Sequence, residues 1–193
     1  TADATVQRCL ERGINFFETG SYGAGKSEVM LGRALWKACK REDVILADKA
    51  TACNLPTEDQ VRADLEAALE RYQTDYFDVF SFWGTNTPEM HDHILRNGPL
   101  KAVLKAKEEG LVRAVGLTTH ARPEWIRDFA DVYPWDMIVL KEHMLYTRQQ
   151  ETIAHLGEKG VGVVAMTPLA GGVICSPGQD LQTELDAAGM SAA

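Results

Sequence analysis

The sequence predicts an α/β fold of the (β/α)8 barrel type (TIM barrel), with about six β/α units present in the chain. Apolar segments of strand length alternate with amphipathic helical segments, which is typical of a parallel sheet with helices on its outside. The strand segments are almost continuously apolar, as expected where both faces of a sheet are buried. No repeat, linker or change of composition divides the chain. We therefore expect residues 1–193 to form one partial barrel domain.

The first half of the chain predicts three helices and three strands in alternation. Residues 2–12 have the apolar spacing of a helix that stops at Gly13, and residues 27–40 predict the second helix. Thr57 and Gln60 form a capping-box pattern that opens the third helix. The apolar runs that follow or separate these helices predict strands over residues 14–18, 44–49 and 76–83.

The second half continues the alternation. The spacing predicts a helix over residues 100–109, a helix that starts near Pro123, and a helix that is capped at Thr147 and ends at Gly160. The tail after Cys175 begins as a loop and becomes weakly helical. The apolar runs predict strands over residues 112–120, 136–141 and 161–169.

Composition excludes several classes of function. The net charge is −8 and no dense Lys/Arg block is present, which argues against a nucleic-acid or anionic-membrane partner. No apolar run approaches the roughly 20 residues of a membrane span, and no signal-peptide pattern is present. The four cysteines are scattered, which favours reduced thiols in a cytoplasmic protein. His91 and His93 lie in a polar stretch, and we expect a solvated loop pair there and no metal site.

The segment GSYGAGKS, residues 20–27, fits the phosphate-loop template G-x-x-x-x-G-K-[ST]. It follows an apolar strand and precedes a helical pattern, which is the context that the template requires. A helix precedes the supposed first strand, however, which that interpretation does not expect. A second interpretation is therefore a tight loop that carries Tyr22, with Ser27 as the cap of the next helix.

Polar side chains follow the predicted strands at the end where barrel enzymes hold their active sites. Lys49 ends an apolar strand, where a buried ammonium group needs a partner, and Glu18 at the end of the preceding strand can supply it. Tyr22 follows in the next loop, and a nearby cation favours its phenolate form, so it can give a proton to a carbonyl oxygen. The residues alone leave a structural ion pair equally open. The polar or aromatic strand ends are Glu18, Lys49, Trp83, His120, Glu142, His143 and Thr167.

Four segments resemble the aldo-keto reductase family, in family order and over nearly the whole chain. GINFFETGSYGAGKSEVMLGRAL resembles its strand, Tyr-Gly loop and Ser-Glu helix start, and LERYQTDYFDVF resembles its Thr-Asp-Tyr-x-Asp segment. KAKEEGLVRAVGLTTH and GVGVVAMTPLAGGVI resemble the turn into its Gly-x-Ser strand and its Pro-Leu-x-Gly-Gly segment. The resemblance is to the branch whose longer members carry an iron-sulfur domain, although the cysteines here form no cluster motif.

The resemblance implies a small carbonyl or alcohol substrate and NADP(H) as cofactor. Tyr22 matches the proton donor and Lys49 its lysine, while Glu18 stands where the family has Asp and Trp83 where it has a histidine. Val139 stands at the family's glutamine, which binds the nicotinamide amide. The remaining cofactor-binding positions implied are Thr118, Thr119, Met166, Thr167, Pro168, Leu169 and Gly171.

Two interpretations of function follow. The first is an NAD(P)H-dependent oxidoreductase; the second, suggested by Trp83 and Val139, is a barrel relative without redox chemistry that acts as a binding or regulatory module. The resemblance also assigns Gly23 and Gly25 to the tyrosine loop, so we reject the phosphate-loop interpretation. Six strands leave two apolar edges, at residues 14–17 and 163–167. We expect further chain segments at both ends, or a second copy, to close the barrel.

Overall fold

The computed structural model describes residues 1–51, 53–176 and 178–190. It has one six-stranded sheet in which each strand pairs in parallel with the next along the chain. This sheet curls and carries helices on its outer side, so the predicted barrel type is confirmed for these residues. The predicted domain also includes residues 52, 177 and 191–193, which lie outside the described residues. The strands are β1 (Phe16–Glu18), β2 (Ile45–Thr51), β3 (Phe77–Trp83), β4 (Val112–Thr119), β5 (Met137–Lys141) and β6 (Gly162–Met166).

Eight α-helices connect and flank these strands in the described part of the chain. The capping box at the third helix is confirmed, because Thr57 accepts from the Gln60 amide and Gln60 accepts from the Thr57 amide. The helices are α1 (Ala2–Glu11), α2 (Lys26–Ala38), α3 (Glu58–Tyr72), α4 (Pro88–Arg96), α5 (Pro99–Glu108), α6 (Pro123–Val132), α7 (Gln150–Glu158) and α8 (Gln179–Ala187).

The start and end of α7 differ from the prediction. The residue before the helix is Gln149, not Thr147, and its side chain makes no capping hydrogen bond. Instead, the Gln149 backbone N–H donates to Glu142 Oε2 at 3.1 Å, so a carboxylate from the end of β5 serves this helix start. The helix ends at Glu158, two residues before Gly160.

The polar stretch around His91 forms α4, so the expectation of a solvated loop pair is wrong. Thr87 caps this helix through the Met90 amide, and Pro88 occupies its first turn. His91 is 4% exposed and stacks on Phe129 with ring centroids 4.3 Å apart. Its Nε2 accepts from the Trp135 indole N–H at 3.3 Å, and burial lowers its pKa to about 4. The sequence pattern did not predict this helix, because part of its buried face is the neutral imidazole of His91, which counts as a polar residue in the sequence.

The two faces of the sheet have different roles. The outer face packs against the helices and forms the large core, which includes Leu46, Phe80 and Leu117. The inner face carries a smaller apolar cluster of Ala47, Val79, Met137 and Val139. Side chains alternate along each strand, so this inner cluster forms the floor beneath the carboxyl ends of the strands.

The first and last strands are edges of the described sheet. Phe16 to Glu18 pair only with β2, and β6 pairs only with β5, within the described ranges. Ile14, just before β1, is half exposed.

Across the described residues, none of the helices is long and apolar enough to cross a membrane.

Candidate active site

The first three strands bring the sequence-predicted residues to one end of the sheet. The register pairs Lys49 with Ser81 and Thr51 with Trp83, so these side chains occupy successive inner positions at the carboxyl ends. Glu18 is the last residue of β1. A cavity of about 260 Å³ opens at this end, lined by Gly20, Ser21, Tyr22, Lys49, Thr51, Asn54 and Trp83.

The predicted ion pair between Glu18 and Lys49 is present. Lys49 Nζ lies 3.3 Å from Glu18 Oε1, and the two side chains are 17% and 9% exposed for Glu18 and Lys49. Glu18 Oε1 accepts no well-aligned hydrogen bond from the described residues, so the contact is mainly Coulombic. A Cβ at Gly20 would lie 3.3 Å from both Lys49 Cγ and Cε, so a glycine there gives the lysine stem its room.

Tyr22 lies beside this lysine, in the loop between β1 and α2. Lys49 Nζ is 6.0 Å from the centre of the Tyr22 ring, and the ring is half exposed. The Ser27 hydroxyl lies 2.5 Å from the Gly20 carbonyl oxygen and 3.1 Å from that of Tyr22, and donates to them. Ser27 therefore fastens the tyrosine loop. It does not cap α2, whose preceding residue is Gly25 at φ 86°, so the predicted Ser27 cap is wrong.

The loop's own hydrogen bonds argue against phosphate binding by residues 20–27. The backbone N–H groups of Gly25, Lys26 and Ser27 donate to carbonyl oxygens within the same loop. A phosphate loop needs such groups free to surround the anion. A phosphate-loop enzyme also needs an aspartate at a strand end to hold magnesium, but Asp48 on β2 is buried on the helix side of that strand.

Trp83 forms the wall opposite the ion pair. Its ring meets the Tyr22 ring edge to face, with centroids 6.0 Å apart and planes at 76°. The side chain is 36% exposed, and its indole N–H donates to no acceptor among the residues that the structure describes. The N–H is therefore available to a carbonyl oxygen in the cavity.

The two threonines at the end of β4 have different environments. Thr118 is 4% exposed, pairs in register with Trp83, and its Oγ1 is buried without a hydrogen-bond partner in the described structure. Such an orphaned hydroxyl suits a ligand amide. Thr119 is not brought to the site, because its hydroxyl donates to the Thr85 carbonyl at 2.5 Å and accepts from the Ala121 amide.

The last strand leads into a loop of exposed residues. Met166 ends β6 on the inner face beside Lys141, and Thr167, Pro168 and Leu169 are exposed. Thr167, Ala170, Gly171 and Gly172 all have positive φ values, of 55°, 50°, 69° and 96°, so the loop is built largely from left-handed turns. Val139 is buried among apolar side chains of the inner cluster and offers no polar group.

A second cavity, of about 460 Å³, opens at the ends of β4, β5 and β6. Its walls include His120, Lys141, His143, Thr167 and Gly171. Lys141 Nζ lies 4.6 Å from the centre of the Tyr146 ring. Sequence reasoning noted both histidines as strand ends but did not identify Lys141.

A buried charged cluster behind β2 was also missed. Glu28 is 1% exposed and is bound by the Arg71 guanidinium, with Nη2 3.1 Å from Oε1. Asp48 is fully buried, and desolvation together with the neighbouring Glu28 carboxylate raises its pKa to about 8. Alternation along β2 places Asp48 on the face opposite Lys49, so this cluster supports the strand from outside the cavity.

No group of three or more His, Cys, Asp or Glu residues within the described ranges could hold a metal ion. A third cavity, of about 420 Å³, lies between α4 and α6 on the outer surface, away from the strand ends.

Comparison with known proteins identifies what the chain resembles. The model of the Aldo/keto reductase family matches residues 1–183. L-galactose dehydrogenase of Arabidopsis thaliana is 32% identical over 198 residues, which cover 92% of this chain and 58% of that protein. NADH-specific methylglyoxal reductase of Escherichia coli (strain K12) is 26% identical over 190 residues, which cover 88% of this chain and 57% of that protein. The chain thus spans between half and two thirds of the length of these relatives.

The fold comparison agrees. An aldo-keto reductase of Bombyx mori, solved in complex with NADP, matches with a TM-score of 0.75 at 18% identity, covering 100% of this chain and 68% of that one. At this identity the match concerns the fold. None of these matches specifies the iron-sulfur-linked branch, which stays a prediction.

Proposed function

The chain belongs to the aldo/keto reductase family, and from this premise we propose that it carries the active site of an NAD(P)H-dependent oxidoreductase. The reaction is a hydride transfer between a nicotinamide cofactor and a small carbonyl or alcohol substrate. The observation that supports it most is that Tyr22, Lys49 and Trp83 line one cavity, with Glu18 paired to Lys49.

A bound nicotinamide would supply the hydride to the carbonyl carbon. Tyr22 gives its hydroxyl proton to the carbonyl oxygen, which becomes the alcohol, and the tyrosine is left as phenolate. The Lys49 ammonium stabilises this negative charge, and Glu18 holds the ammonium on the tyrosine side of the strand end. Trp83 donates its indole N–H to the carbonyl oxygen and orients it toward Tyr22.

The described residues fit a nicotinamide cofactor at several points. We assign the carboxamide to the Thr118 hydroxyl, because this group has no hydrogen-bond partner among the described residues. Met166 offers an apolar side chain to the ring, and we place the phosphates against the exposed loop of Thr167, Pro168, Leu169 and Gly171. Thr119 drops out of this set because its hydroxyl is already satisfied. We keep NADP(H) as the proposed cofactor.

The identity of the nicotinamide is the finer part of the proposal. One neighbour was solved with NADP, and one relative is named as NADH-specific. A cytoplasmic location also stays a prediction, made from the scattered cysteines.

A redox-inactive binding module remains the second candidate. Val139 supports it, because an apolar side chain stands where the family binds the nicotinamide amide. Trp83 supports it too, because an indole cannot relay a proton.

Cofactor titration separates the two candidates. We expect NADPH, followed by its nicotinamide fluorescence, to bind the full chain saturably, and NADH to bind more weakly. Oxidation of the bound cofactor on addition of small aldehydes would then establish turnover. If neither NADPH nor NADH binds saturably, the oxidoreductase is rejected and the binding module is left.

We further propose that additional strands of the full chain, or a second copy, pair with the β1 and β6 edges. Both edges are apolar and lack an outer partner among the described residues. The intact mass gives the length of the full chain and light scattering gives the oligomeric state, so together they distinguish additional strands from a second copy. A monomer whose full mass leaves no residues for further strands would contradict the proposal.

A further inference from the structure

The second cavity places cationic and N–H-bearing side chains at the mouth of the sheet, on the side away from Tyr22. Lys141 ends β5, and His120 follows β4. The remaining walls are mainly apolar, with Leu145, Ala170 and Val173.

The Lys141 ammonium has no carboxylate partner. Within residues 1–51, 53–176 and 178–190 it forms no ion pair, whereas Lys49 has Glu18 at 3.3 Å. Its contact is the Tyr146 ring, 4.6 Å away. The adjacent acid, Glu142, accepts from the Gln149 amide at the start of α7 and is committed there. The positive charge of Lys141 therefore remains available to a ligand.

His143 adds a fixed polar group to the same cavity. Its backbone exchanges two hydrogen bonds with Tyr146, at 3.2 and 2.7 Å, which closes a tight turn. Its Nδ1 atom is buried and has no partner in the described structure. A buried nitrogen of this kind is normally satisfied by protein, water or ligand.

Resting on the proposed function for the reaction, we propose that Lys141, His143 and His120 form a subsite for an anionic group, a carboxylate or a phosphate. Lys141 lies one inner position beyond Val139, and Val139 pairs through Thr118 with Trp83. Lys141 is therefore two strands away from Trp83, a sideways distance of about 10 Å between the strands. The anion is therefore either an acid group several bonds from the reacting carbonyl of the substrate, or a phosphate of the cofactor.

The subsite can be tested without turnover. We would titrate the full chain with glutarate and with inorganic pyrophosphate by calorimetry at low ionic strength, where screening is weak. We expect saturable binding of at least one probe, weakened about tenfold or more in Lys141→Met. Lys159→Met is the matched control, because it removes the same charge beyond the other end of α7, where Lys159 pairs with Asp131. Absence of binding, or equal weakening by both variants, would overturn the subsite.

Activity then identifies the source of the anion. Succinic semialdehyde and butanal have the same carbon chain with and without a carboxylate. If the anion belongs to the substrate, Lys141→Met lowers kcat/KM about tenfold for succinic semialdehyde, leaves butanal within twofold, and keeps cofactor affinity. If it belongs to the cofactor, the variant weakens cofactor binding and affects both aldehydes alike.

The two proposals can fail separately. Probe binding that depends on Lys141, in a protein that binds no nicotinamide, would reject the oxidoreductase and keep the subsite. If Lys141→Met reduces both aldehydes as the wild type does and keeps its cofactor affinity, the subsite is rejected and the oxidoreductase is kept.

Discussion

Lys49 and Glu18 lie 3.3 Å apart at the ends of neighbouring strands, and the lysine is almost completely buried. The pair has two explanations, a catalytic charge beside Tyr22 or a structural tie at the sheet rim. We expect Lys49→Met to lower carbonyl reduction by a factor on the order of 10² to 10⁴ and to keep cofactor binding. Steady-state kinetics and a cofactor titration measure the two effects.

The double variant Glu18→Gln/Lys49→Met decides between these explanations. Each single variant leaves one charge without its partner and should lower the free energy of unfolding by about 1 to 3 kcal/mol. The double variant should recover much of that stability and stay inactive. Recovered activity in the double variant would reduce the pair to a structural role.

Tyr22→Phe tests the proton donor. We expect a loss of carbonyl reduction on the order of 10² to 10⁴, with cofactor affinity kept, because only the hydroxyl is removed. Tyr76→Phe is the control: Tyr76 stacks between the Arg41 and Arg113 guanidinium groups outside the cavity, and phenylalanine keeps that packing. Turnover retained by Tyr22→Phe would transfer the proton donation to another group.

Trp83→Phe separates the two contributions of the indole. Phenylalanine keeps an aromatic wall against Tyr22 and removes the N–H that no protein acceptor uses in the described residues. Loss of one hydrogen bond to the carbonyl oxygen should lower kcat/KM by about tenfold. An unchanged kcat/KM would restrict Trp83 to packing.

Close packing of α2 on α3 depends on Gly32. A Cβ at this position would lie 2.6 Å from the Tyr72 carbonyl oxygen and 2.8 Å from its Cα, so backbone would have to move. We expect Gly32→Ala to lower the free energy of unfolding by about 1 to 3 kcal/mol in urea denaturation. Gly157→Ala, also in a helix, has open space around its Cβ and should not destabilise the protein.

The sequence predicted the parts of the site that depend on strand order and alternation. Glu18, Lys49 and Trp83 end consecutive apolar runs, and parallel strands bring such ends together. The hydrogen-bond partners of the Ser27 and Thr119 hydroxyl groups could not be predicted from the sequence, because both bond to backbone groups that only the folded loops bring near. Lys141 was missed because its apolar strand suggested only a core element.

His91 should make the protein sensitive to acid. Burial lowers the pKa of His91 from 6.5 to about 4. Between pH 4 and pH 6.5 this histidine is therefore protonated in the unfolded chain and neutral in the folded protein. Its stability contribution is complete above pH 6.5 and is lost as the pH falls toward 4, by up to about 3 kcal/mol. His91→Gln should flatten this acid loss in urea denaturation between pH 7 and 4. His120→Gln, an exposed histidine, is the control, and an unchanged slope in His91→Gln would contradict the prediction.

Asp48 should produce the opposite dependence on pH. Its raised pKa, from 3.8 to about 8, means that the folded protein holds a proton that the unfolded chain has released. The stabilising contribution is therefore complete below pH 3.8 and is lost as the pH rises through 8, with a slope of about 1.4 kcal/mol per pH unit between these values. Asp48→Asn keeps a neutral side chain of the same size beside Glu28, so its unfolding free energy should decline less between pH 6 and 9. Asp59→Asn, exposed at the start of α3, should keep the wild-type decline. The same decline in Asp48→Asn as in the wild type would show that Asp48 does not hold this proton.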